Sequence, residues 1–108
     1  MERNDTLLLA LGWEMRRHGS LGNLWRTKAE AEAGTPFAES KFTRPMRPYD
    51  NLQDAVDCVP EGWEWRVGPY WACLSENWLD PDSRDFEGRA DTPAEALAEA
   101  IMKAVSHD

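Results

Sequence analysis

The sequence predicts an α+β fold: a small antiparallel sheet of three to four strands sandwiched with two to three helices. Three observations carry that expectation. Two segments, beginning near Asp50 and at Thr92, open with helix-capping residues and continue with apolar residues at helical spacing. Between them Trp63, Trp65 and Val67 alternate with Glu64 and Arg66, the period-two pattern of a strand. A chain of 108 residues is long enough for one hydrophobic core and too short for two, so a single domain spanning residues 1–108 is expected.

In chain order, Asn4 or Asp5 caps a short first helix. Gly12, just after Leu11, supplies the left-handed residue at its end. Trp13 then lies two residues beyond the helix, placed to fold back on it. Trp13 to Arg17 and Leu24 to Thr27 form a hairpin across residues 18–23. Lys28 to Glu32 reads either as a fragment of helix or as a charged strand extension. Residues 35–48, punctuated by Pro36, Pro45 and Pro48, form an irregular loop, and loops of that length often carry contacts.

Asp50, with Gln53 three residues later, caps the next helix, whose apolar face is Leu52, Ala55, Val56 and Val59. Pro60 ends it, and residues 59–62 suit a type I turn with proline second and glycine fourth. The strand that follows turns its tryptophans inward. After Gly68-Pro69 the chain returns as Tyr70 to Ser75, with Tyr70, Ala72 and Leu74 on one face and Trp71 and Cys73 on the other. Two apolar faces indicate a central strand covered on both sides. Residues 76–91 are an acidic loop holding a short edge strand around Phe86. Thr92-Pro93-Ala94-Glu95 then starts the last helix, with Leu97, Ile101 and Val105 as its stripe and Ala94 and Ala98 beside it.

Charge is unevenly placed. Residues 1–54 hold eight Lys/Arg and eight Asp/Glu. Residues 55–108 hold four against twelve, the whole of the net charge of −8. Most of such a surface repels phosphate, so direct nucleic-acid binding is not expected; the basic stretch Lys41, Arg44 and Arg47 is short. The longest apolar run, Leu7 to Leu11, is far below the ~20 residues that span a bilayer, and no membrane association is expected. Cys58 and Cys73 fall on apolar faces of a helix and a strand and read as buried free thiols of a cytoplasmic protein. His18 and His107 stand apart from both cysteines, so no metal site is expected. Asp80-x-Asp82 begins like a calcium loop, but Asp85 and Asp91 stand where its glycine and terminal glutamate belong. No nucleophile–base constellation and no glycine-rich phosphate loop is present. Neither an enzymatic role nor a cofactor is expected.

Residues 59–65, preceded by a helix containing Asp54-Ala55 and followed by Thr92 to Leu97, together with Leu9-Ala10-Leu11-Gly12-Trp13, resemble the phage ABA sandwich domain family. Residues 14–48 depart from that pattern. The resemblance implies an α/β sandwich and a phage or prophage origin, hence the cytoplasm of an infected or lysogenic bacterial host. It implies no reaction.

Trp78 beside the acids Asp80, Asp82, Asp85 and Glu87 is the candidate partner-binding element, because tryptophan ringed by polar residues is enriched at binding hot spots. The expected function is protein binding. Its narrower form is an anti-CRISPR-like inhibitor, meeting a basic surface of a host defence or nucleic-acid-handling protein. The alternative is an accessory phage protein, homo-oligomeric or not, whose acids maintain solubility.

Overall fold

The computed structural model describes residues 2–20, 22–42 and 44–106. It divides into two compact units, Met1–Met46 and Arg47–Asp108. The first holds seven Lys/Arg against six Asp/Glu and the second five against fourteen; these give +1 and −9, which sum to −8. Among the described residues, four α-helices and two antiparallel sheets, of two and three strands, make the α+β fold.

In the first unit, helix α1 (Arg3–Ala10) is capped by the Glu2 carboxylate, which accepts the Asn4 amide at 3.2 Å; the cap is neither Asn4 nor Asp5. Asn4 is itself helical and buried, and its side chain donates to the same carboxylate. At the other end Gly12 takes φ 86°. Its amide donates to Leu9 C=O and that of Trp13 to Leu8 C=O, so the last carbonyls are satisfied as the chain reverses. Trp13 is thereby buried, with its ring 4.8 Å from that of Phe42.

Strands β1 (Glu14–His18) and β2 (Gly22–Arg26) pair from Glu14↔Arg26 to His18↔Gly22, and Arg26 Nε donates to Glu14 at 2.8 Å across the pair. Leu21 lies outside the described residues. Residues 28–32 resolve as helix α2 (Lys28–Glu32). Thr27 Oγ1 accepts the Glu30 amide while Glu30 accepts the Thr27 amide, a reciprocal cap that favours helix over strand. The same Glu30 carboxylate accepts the Ser40 hydroxyl at 2.9 Å and the Lys41 amide at 3.2 Å. It thus holds the start of the proline-rich stretch, where Phe37–Glu39 forms a 3-10 turn.

The second unit begins with helix α3 (Leu52–Asp57). Its cap is Asn51, one residue later than Asp50: Asn51 Oδ1 accepts the Asp54 amide at 3.2 Å. Residue 54, the third position in that register, is a buried Asp whose Oδ2 accepts the Arg47 amide at 2.9 Å. The helix ends at Asp57, before Val59 can join its face, and Leu52 is exposed. The turn that follows is also displaced by one. Trp63 N–H donates to Pro60 C=O, and Gly62, third rather than fourth, takes φ 89°, as a type II turn requires.

Strands β3 (Glu64–Val67), β4 (Trp71–Ser75) and β5 (Asp85–Arg89) form the sheet in that order, with β4 central. The register aligns Trp65, Leu74 and Phe86, and Val67, Ala72 and Gly88, on one face. Helix α4 (Pro93–Val105), started by Thr92 Oγ1 accepting the Glu95 amide, packs on that face. Ala94, Ala96, Leu97, Ala98, Ala100 and Ile101 are all buried, more of its circumference than one stripe, because α3 packs against it as well.

Two expectations about this sheet are corrected. The opposite face carries no helix of its own unit: Trp71 on it is 42% exposed and Cys73 half-buried, and Ser75 alone is fully buried there, beside Ser83 of the β4–β5 turn, so β4 is not covered along its length on that side. Trp65 does point to the α4 face, but from an edge strand beyond the helix's main contact with β4 and β5; it is 38% exposed, and Trp63 is half-buried.

Candidate functional site

The open face of the three-stranded sheet is set by the register: Glu64, Ser75 and Asp85 lie in one row, Arg66, Cys73 and Glu87 in the next, and Trp71 beside Arg89 in the third. Side chains alternate across a pleated strand, so these residues alternate with those that face α4. Trp71 extends toward Gly68, where its Cε2 stands 2.5 Å from the place a side-chain carbon would take. The glycine leaves room for the indole.

The five candidate residues separate into two groups. Asp85 and Glu87 belong to β5 rather than to a loop, and both face outward on the open side. Asp80 and Asp82 are exposed in the turn between β4 and β5. That turn is tied by its own polar groups. Ser83 Oγ accepts the Asn77 amide at 2.8 Å, Asn77 Oδ1 accepts the Leu79 amide at 3.0 Å, and Asp80 Oδ1 accepts the Asp82 amide at 2.9 Å. Trp78 is half-buried, with the Arg66 guanidinium 4.7 Å above its ring. Arg66 thus links the acidic turn to the open face.

Some of the negative charge is neutralised internally. Glu87 pairs with Arg89 at 2.7 Å, and Glu76 pairs with Arg84 across the base of the turn. Glu64, Asp80, Asp82 and Asp85 form no ion pair among the described residues. Near the centre, Cys73 is a free, half-buried thiol. Its burial, and then Asp85 and Glu87 beside it, push its pKa up, with Arg66 opposing weakly. A thiolate is thus disfavoured there, the opposite of what a nucleophile requires. Cys58 is buried and forms no disulfide.

Sequence reasoning missed Trp71, Tyr70 and Leu79 as surface groups; Tyr70 is 68% and Leu79 92% exposed. The signal lay across strands rather than along one. Trp71 and Cys73 share their face with Glu64, Arg66, Asp85, Glu87 and Arg89, and so many charges do not line a second core.

Among the described residues no group of three or more His, Cys, Asp or Glu is placed to hold a metal ion, and no helix is long and apolar enough to cross a membrane. His107 lies outside the described residues. No family model, no curated protein and no solved structure matches this chain.

Proposed function

We propose that this chain is a non-enzymatic protein that acts by binding another protein, using the open face of its three-stranded sheet and the acidic turn that continues it. The observation that supports this reading is the exposure of Trp71 on the sheet face that also carries Asp85 and Glu87, with Asp80 and Asp82, which form no ion pair among the described residues, on the adjoining turn. Exposed aromatics rimmed by charge supply the apolar centre and polar border of an interface, and the acids favour a basic partner surface. The narrower form is a phage-encoded inhibitor of a host defence or nucleic-acid-handling complex. It draws on the resemblance of residues 59–65 and 92–97 to phage sandwich domains.

The alternative, an accessory protein whose acids serve solubility, is favoured by the internal pairing of Glu87 with Arg89 and of Glu76 with Arg84. Nuclease-treated host extract passed over wild type and over a variant with Asp80→Asn, Asp82→Asn, Asp85→Asn and Glu87→Gln separates the two. A basic protein that binds wild type only, with affinity falling steeply between low and moderate salt, supports the inhibitor reading. Equal binding to both baits, or binding to neither, favours the accessory role.

A further inference from the structure

The two edges of the three-stranded sheet are not equivalent. On β5 the outward carbonyl of Glu87 accepts Lys103 Nζ at 2.6 Å, so a side chain from α4 occupies that edge. On β3, Gly68 N–H donates to Trp71 C=O at 2.8 Å, and this fixes the parity of the ladder. Glu64 and Arg66 face β4, whereas the N–H and C=O groups of Trp65 and Val67 point away from it. Those outward groups have no partner among the described residues. An open edge flanked by an exposed tryptophan is a template for another strand.

We propose that β3 pairs antiparallel with β3 of a second copy of this chain, with the two-fold axis at Trp65, joining two three-stranded sheets into one of six. The sequence of the edge selects both the occupant and the register. With Trp65 opposite Trp65, Glu64 of each copy stands across from Arg66 of the other in a non-hydrogen-bonded pair, the closer kind of cross-strand neighbour. Two ion pairs therefore form on the open face from residues that make none among the described residues. On the α4 side the two Trp65 side chains meet and lose solvent exposure, and Val67 faces Trp63.

The neighbouring registers are worse. An axis at Arg66 sets Arg66 against Arg66, with like charges opposed. An axis at Val67 sets Trp65 against Pro69, which has no amide to donate. A self-complementary strand of this kind gives an isologous, closed dimer rather than a filament. The interface takes Glu64 and Arg66 from the margin of the open face but none of Asp80, Asp82, Asp85 or Glu87, so neutralising those four acids tests the partner reading without touching the dimer.

The test is sedimentation of the full chain from about 10 µM to 1 mM, the range in which a small interface associates. Wild type is expected to pass from monomer to dimer. Val67→Pro removes an amide that β4 does not use, and is expected to weaken dimerisation at least about tenfold while far-UV circular dichroism stays unchanged. Glu64→Arg alone and Arg66→Glu alone are each expected to be monomeric. Mixed in equal amounts they restore both opposite-charge pairs and form a heterodimer, a readout that survives even if the proline variant does not fold. A wild type that stays monomeric throughout overturns the proposal. So does a dimer that Val67→Pro and Glu64→Arg leave intact, or a mixture that fails to associate when wild type does.

Discussion

Gly88 of β5 and Ala96 of α4 approach so closely that a side-chain carbon on Gly88 would overlap the Ala96 carbonyl oxygen, with the Ala100 nitrogen at 2.7 Å. Helix and sheet meet there backbone to backbone. The alanines of α4 permit the approach on one side, and the absent side chain permits it on the other. The burial of Leu74, Leu97 and Ile101 depends on that spacing.

Gly88→Ala is therefore expected to destabilise the second unit by about 3 kcal/mol or more, since neither clashing atom belongs to a side chain that can turn aside. Gly19→Ala, with open space around the site and an ordinary φ, is expected to stay within about 0.5 kcal/mol of wild type. Urea midpoints of the two variants measure the contrast, and equal midpoints would remove the close approach as a determinant of the fold.

At the start of α3, Asn51→Ala is expected to cost about 1 kcal/mol, the usual loss for a cap. Asp54→Ala is expected to cost about 1–3 kcal/mol, because it takes the carboxylate acceptor from the Arg47 amide. Thermal melts of both, read beside Gln53→Ala, which removes the exposed bond from Gln53 Nε2 to Asp57 and is expected to cost about 0.3 kcal/mol, check the order.

Glu30 is expected to contribute to the loss of stability in acid. Partial burial raises its pKa, but hydrogen bonds from the Thr27 amide, the Ser40 hydroxyl, the Lys41 amide and the Thr27 side chain outweigh that and lower it from the ordinary value near 4.5. A lowered folded-state pKa means the stabilisation is present above 4.5 and is lost as pH falls through the lower folded value. Glu30→Gln is expected to flatten the dependence of stability on pH between about pH 6 and 3. An unchanged slope in that variant would assign the acid limb to other carboxylates.

Cys73 is expected to react slowly with iodoacetamide at about pH 7.5, because burial, Asp85 and Glu87 keep it protonated. Asp85→Asn with Glu87→Gln removes two of those causes and is expected to accelerate labelling. The buried Cys58 serves as an internal reference that labels only on unfolding. Labelling of Cys73 at the same rate in wild type and in the double variant would mean that burial alone sets its reactivity.

Local signals in the sequence determined the kinds of element: the reversal at Gly12, the alternation from Glu64 to Val67, and the start of α4 at Thr92-Pro93. Each depends on backbone chemistry within a few residues, which tertiary context did not override. Offsets arose where neighbouring residues compete for one role. Asp50 and Asn51 both have a capping oxygen, and the buried bond from Asp54 to the Arg47 amide favours the later frame. Residues 28–32 were equally open between helix and strand until Glu30 found partners at Thr27, Ser40 and Lys41. The candidate acids Asp80 and Asp82 were legible as a surface turn, while Asp85 and Glu87 became strand residues through pairing with β4. Only the tertiary structure decided which face of the sheet is covered. Trp71 and Cys73 are as apolar as Ala72 and Leu74, and what separates them is the set of residues beside them on β3 and β5. That set is charged on one face and closed by α4 at Gly88 on the other, and it exists only once the strands are in register.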